Sequence, residues 1–171
     1  MSFSANTYLP HDVKHLSHST CCFAGHTNLP EKKIKQILLS LNKEVDKLIQ
    51  NGVQNFISGG VLGYDHIAAS MVITKKQQGI DVRLIFALPY RNYGENWTDK
   101  QKQLFYSLLN EANDIHYISE EYANGCIKKR NRYLVDNSAY CICALTKKLS
   151  ETALTVNYAK QQGLQIINVA K

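Results

Sequence analysis

"FISGGVLGYDHIAAS", residues 56–70, decides the fold: an apolar run ends in Ser-Gly-Gly and, after a third glycine, passes into a helical pattern. Strand, glycine turn and helix in this order are the joint of an α/β unit. The main-chain amides of such a turn lie free at the positive end of the helix dipole. Glycine lets an anion approach them with no Cβ in the way, so Ser58, Gly59, Gly60 and Gly63 are candidates for a phosphate cradle. The same glycines would also suit a tight turn with close helix packing. The spacing is neither the dinucleotide fingerprint G-x-G-x-x-G nor a Walker loop, since no Gly-Lys-Ser/Thr follows.

Outward from this joint the same alternation repeats. "TCCFAG" (20–25) reads as a strand, and Ile34, Ile37, Leu38, Leu41, Val45, Leu48 and Ile49 fall on one helical face after Pro30. "VQNFISG" is the second strand, and the helix from Tyr64 closes at Gly79. "DVRLIFALP" is a third strand that Pro89 should stop. Thr98 is set to cap a helix running to about Ala112. "DIHYIS", "YCICAL" and "LQIINVA" supply three more strands, with "IKKRNRYLVDNSA" and "SETALTVNYAKQQG" as helices between them. Apolar strands alternating with helices predict a Rossmann-like α/β fold, a mostly parallel sheet with helices on both faces. Residues 20–171 form one domain, and residues 1–19 stand outside the repeat as a flexible or loosely docked arm.

Composition narrows the function classes. The chain has 171 residues and 44% hydrophobic content, with no apolar run near the roughly 18 residues a membrane span requires. With no signal-peptide pattern at the start, the cytoplasm is the expected location. Four of the five cysteines (Cys21, Cys22, Cys141, Cys143) lie within strand-like runs and Cys126 opens a helical stretch, so all read as reduced thiols and no metal site is assigned. A net charge of +6 favours an anionic partner, and its densest run is "KKRNR", 128–132.

Four stretches in order, "CCFAGHT" (21–27), "SGGVLGYDHIAA" (58–69), "LPYRNYGENW" (88–97) and "KRNRYLVDNS" (129–138), carry a resemblance. Over roughly residues 20–171 the chain resembles the YpsA-like branch of the SLOG superfamily, whose other branches include the DNA-processing protein DprA (Smf) and the LOG nucleoside-monophosphate phosphoribohydrolases. The resemblance implies a pocket for a nucleotide or nucleotide-derived ligand, such as a nucleotide sugar, and no further cofactor. It makes Gly25 and His26 ligand contacts at the end of the first strand, with Thr27 standing where an arginine is expected. Ser58, Gly59, Gly60 and Gly63 become the phosphate-facing turn. Asp65 is either an acceptor for a ribose hydroxyl or a helix cap. Tyr93 and Trp97 are candidates to stack on a base. Arg130 is implied as a phosphate contact, with Asn131 beside it and Arg132 turned elsewhere on the helix.

The C-terminal loop departs from the enzymatic pattern. LOG enzymes carry Pro-Gly-Gly-x-Gly-Thr-x-x-Glu; here "TKKLSETALTVNYA" (146–159) keeps Thr152 and has Thr155 at the glutamate position. Cleavage of an N-glycosidic bond wants a carboxylate beside the sugar, which Glu120, Glu121, Glu151 or Asp65 would have to supply. Three readings follow. The first is a module that binds or senses a nucleotide-derived small ligand. The second is a phosphoribohydrolase-like enzyme, and the third a DprA-like binder of single-stranded nucleic acid, ranked below small-ligand binding. A homodimer is compatible with this class, and no residue pattern specifies it.

Overall fold

The structure, a computed structural model, describes residues 17–171. Six strands form one parallel sheet in the order β4-β3-β2-β1-β5-β6. The elements run β1 (Thr20–Gly25), α1 (Glu31–Gln50), β2 (Asn55–Ser58), α2 (Tyr64–Gln77), β3 (Arg83–Tyr90), α3 (Asp99–Asn110), β4 (Asp114–Ser119), α4 (Cys126–Asp136), β5 (Tyr140–Ala144), α5 (Glu151–Gln161) and β6 (Gln165–Asn168). This is the expected Rossmann-like α/β arrangement. The arm expected over 1–19 lies mostly outside the described residues. Of the remainder, Ser19 is tied to the sheet, its carbonyl accepting from the amides of Gln54 and Asn55.

The strands turn alternate side chains to opposite faces of the sheet. With a period of two, Phe23, Phe56, Leu84, Phe86, Leu88 and Ile142 point to one face, where α1, α2 and α3 bury Ile37, Leu41, Val45, Ala68, Val72, Phe105 and Leu108 on them. The opposite face carries Cys22, Ala24, Ala87, Cys141 and Cys143, against which α4 and α5 set Leu134, Val135, Val156 and Ala159. Ile57 and Ile85 belong to this face too. All five cysteines are buried and unpaired, and burial raises the thiols of Cys21 and Cys143.

Local signals are explicit at two ends. Thr98 caps α3 in a reciprocal box with Gln101, its Oγ1 accepting from the Gln101 amide at 3.2 Å while the Gln101 side chain takes the Thr98 amide at 3.0 Å. Pro89, expected to stop β3, lies inside it. The β2 ladder ends at Ser58↔Phe86 and β4 pairs Leu88 and Tyr90, so the missing proline N–H removes no ladder bond.

The order matters for function. From β1 the chain adds β2, β3 and β4 to one side, then crosses back to place β5 and β6 on the other. The connections leaving the paired carboxyl ends of β1 and β5 therefore run to opposite faces of the sheet, which opens a crevice at this switch point.

Candidate functional site

At that crevice lies a cavity of about 280 Å³, walled by the end of β1 (Gly25, His26, Thr27), the middle of α4 (Arg130, Asn131), the start of α5 (Glu151, Thr152, Thr155), and Val61, Asp65 and Tyr93. Seven of the sequence-predicted residues meet here: Gly25, His26, Asp65, Tyr93, Arg130, Asn131 and Thr152. Ser58, Gly59, Gly60, Gly63 and Trp97 do not line it.

What the glycines approach is the protein itself. A Cβ on Gly63 would stand 2.1 Å from the Thr27 carbonyl oxygen, and one on Gly25 2.2 Å from the ring of Tyr64. The β1–α1 and β2–α2 loops are thus pressed together through two residues without side chains. The contact is tied by the Tyr64 amide donating to the His26 carbonyl at 3.2 Å and the Tyr64 hydroxyl to Ile142 O at 3.0 Å. A Cβ on Gly60 would meet Leu88 at 2.6 Å, in the core. Gly60 therefore serves packing, against the expectation of ligand approach.

The anion expected in the cradle is also supplied from within. The Val61 amide donates to Asp65 Oδ2 at 3.3 Å, and the Gly60 amide donates to Ser58 Oγ at 3.2 Å. Asp65 is only 4% exposed and holds the turn as a phosphate would. Its other oxygen, Oδ1, is buried with no hydrogen-bond partner. Desolvation pushes this carboxyl up to about 6, opposed by the nearby Arg130 guanidinium and the Val61 amide.

Arg130 is 2% exposed, the largest of the fully buried side chains. Its Nη1 donates to the Gly59 carbonyl, its Nε to Asn131 Oδ1 at 2.8 Å, and its Cζ lies 5.8 Å from the centre of the Tyr93 ring. It fastens α4 to the glycine turn and lends a positive charge to the cavity wall. Arg132, one residue of the same motif, points away and stacks on Tyr158 at 5.2 Å.

His26 works through Thr152. Burial, and then the charge of Lys147, lower the imidazole from its ordinary value, so it is neutral at pH 7. The Thr146 amide donates to its Nε2 at 3.1 Å, which places the ring proton on Nδ1, 3.3 Å from Thr152 Oγ1. With its oxygen accepting from His26, the Thr152 hydroxyl keeps its own hydrogen for an acceptor in the cavity. Thr152 sits in the first turn of α5, capped by Ser150, whose Oγ accepts from the Ala153 amide at 3.1 Å. A helix N-terminus thus faces the crevice, where the dipole favours negative charge.

The four carboxylates proposed from sequence separate into two groups. Asp65 and Glu151 line the cavity; Glu120 and Glu121 line a different one, of about 440 Å³, with Glu95, Tyr90 and Tyr122. Trp97 belongs to that second wall and packs on Phe105 and His66, with ring centroids 5.0 and 5.7 Å away. Thr27, Val61, Ile127, Glu151 and Thr155 are cavity residues outside the ligand-contact set expected from sequence. Thr27, Glu151 and Thr155 stand at motif positions in the sequence without a contact role, whereas Val61 and Ile127 are identified only by the strand order, which brings the ends of β1 and β5 together. Among the described residues no cluster of His, Cys, Asp and Glu is arranged to hold a metal ion, and no helix is long and apolar enough to cross a membrane.

The YpsA family model, described as the YspA SLOG family, matches residues 24–167. The uncharacterized SPbeta prophage-derived protein YoqJ of Bacillus subtilis is 28% identical over 144 residues, covering 77% of this chain and 83% of that one. A UPF0398 protein of Streptococcus agalactiae is 26% identical over 129 residues, covering 70% and 73%. Among solved structures, DNA processing protein A of Streptococcus pneumoniae superposes with a TM-score of 0.62 at 17% identity, over 91% of this chain and 50% of that one. The same protein from Helicobacter pylori, whose single-stranded DNA binding mode that structure describes, gives 0.59 at 16%, over 89% and 64%. This chain therefore spans half to two thirds of those structures, and at such identity the likeness is one of fold.

Proposed function

Because this chain belongs to the YspA SLOG family, we propose that it binds a nucleotide or nucleotide-derived small ligand in the crevice between β1 and β5. One observation carries the reading. The cavity wall holds a buried cation, Arg130, and a buried carboxyl group, Asp65, one of whose oxygens has no hydrogen-bond partner. Leaving a buried carboxylate oxygen unpaired costs about 1–3 kcal/mol, so a partner carrying donors is favoured there. Ribose hydroxyls or the amino group of a base are such donors. The Thr152 hydroxyl and the α5 N-terminus suit the anionic part of the same molecule. Titration calorimetry against nucleoside monophosphates and nucleotide sugars tests this: saturable one-site binding, weakened by Thr152→Val, is the expected result. Absence of heat and of thermal stabilisation across both groups would reject it.

A second reading is favoured by the carboxylates. Asp65 and Glu151 both face the cavity, so a general acid or base for N-glycosidic cleavage is available although the glutamate position itself holds Thr155. Release of free base from a bound nucleoside monophosphate, lost in Glu151→Gln, would establish hydrolysis. Unchanged nucleotide after long incubation would remove it. Binding of single-stranded nucleic acid rests on the net charge of +6 and on fold likeness to DprA; an affinity that falls steeply with salt would mark it.

A further inference from the structure

The crevice does not end at its own rim. A groove of about 450 Å³ runs on between α4 and α5, and Asn131, Glu151 and Thr155 line both spaces. On α4 the groove is edged by Lys128 and Arg132, one turn apart; on α5 by Leu154 and Tyr158, again one turn apart. Leu154 is 64% exposed, an apolar side chain with nothing over it. The Tyr158 ring is fixed, its hydroxyl donating to Asp136 Oδ1 at 2.7 Å, and the Arg132 guanidinium lies over it. Stacking uses the face of a guanidinium, whereas oxyanions are bound through its N–H edge, so the stack steadies Arg132 without consuming that capacity.

Charge orders the path. Glu151 sits at the junction and would repel a phosphate there, while with Thr155 and Asn131 it suits sugar hydroxyls. Beyond it, Lys128 and Arg132 are both positive.

Building on the binding reading above, we propose that the ligand has two parts: a nucleotide unit in the crevice, joined to a second unit that crosses Glu151 and sets an anionic group against Lys128 and Arg132. Recognition of length then resides in the α4–α5 groove, apart from the crevice. The test is titration calorimetry with AMP, GMP, CMP and UMP beside their 5′-phosphorylated dinucleotides. The expected result is that at least one dinucleotide binds about tenfold or more tighter than its mononucleotide, and that Lys128→Ala/Arg132→Ala removes that gain. Equal affinity for one and two units, or a double variant that leaves the gain in place, would overturn the inference while leaving the crevice reading intact. Affinity that keeps rising through tetra- and octanucleotides would overturn it in favour of a strand. Failure of all the probes to bind would instead reject the crevice reading, and this inference with it.

Discussion

The corner after β2 and the crevice between β1 and β5 are neighbouring ends of one sheet, yet they use glycine and charge in opposite ways. At the corner, absent side chains are filled by Thr27, Tyr64 and Leu88, and the anion is the chain's own Asp65. At the crevice, Asp65 lines the cavity wall, and its Oδ1 is buried there without a hydrogen-bond partner. One carboxylate therefore serves both regions, closing the first with Oδ2 and equipping the second with Oδ1. A glycine-rich turn is evidence of close approach; what approaches is decided by the rest of the fold.

The most disruptive way to break this contrast is Gly63→Ala. Gly63 and Gly79 share a positive φ, 85 and 83°, but a Cβ at Gly79 meets nothing within 4 Å. Gly79→Ala should cost only the backbone term, about 1 kcal/mol. Gly63→Ala adds a clash with a main-chain carbonyl that cannot give way, and should cost upwards of about 3 kcal/mol or prevent folding. Gly63 also has ψ −118°, outside the left-handed helical region, so the difference between the two variants in urea denaturation reads the loop–loop contact together with that extra backbone strain. Near-equal losses would show that the two loops are not locked.

Arg130→Ala should come next. It strips the Gly59 carbonyl of its donor and leaves Asp65 buried without its nearest cation, a loss of about 3–5 kcal/mol. A variant of wild-type stability that merely loses ligand would place Arg130 in recognition alone.

Asp65 sharpens the comparison through pH. Its folded value, about 6, lies above the ordinary 3.8, so the folded state holds this proton more tightly. The stability from this group is full below about pH 4 and declines as pH rises through about 6, by up to roughly 3 kcal/mol. Asp65→Asn should flatten that segment of the melting-temperature profile. A ligand hydroxyl donated to Oδ1 favours the carboxylate, so binding near pH 6 should release protons, read from calorimetry in buffers of different ionisation enthalpy. Proton uptake would contradict this role.

Thr152→Val is the mildest change, about 1 kcal/mol in stability from the lost His26 bond, with a clear loss of ligand affinity.

Much of this architecture was legible in residue order, because strand and helix periods are local. "TCCFAG" and the Thr98 cap appear where the pattern puts them. Pro89 misled because its effect depends on which neighbour strand still runs alongside. The site was half legible. Arg130, His26 and Thr152 follow from their motifs, but the position of the crevice depends on β5 lying beside β1, a relation between residues some 120 apart in sequence that no local period encodes. The capture of the turn by Asp65 was hidden for another reason. A carboxylate two residues past the last glycine reads equally as a helix cap, a ribose acceptor or an internal anion until its two oxygens are placed.

The crevice is the place proposed for ligand, and the glycine corner is filled by the protein's own side chains and carbonyls. Backbone amide shifts in a nucleotide titration followed by two-dimensional NMR measure both at once. The largest perturbations are expected at Gly25, His26, Asn131 and Thr152, with smaller ones at Gly59 relayed through Asp65 and Arg130; the largest shifts at Gly59 and Gly60 would show that ligand enters the corner instead.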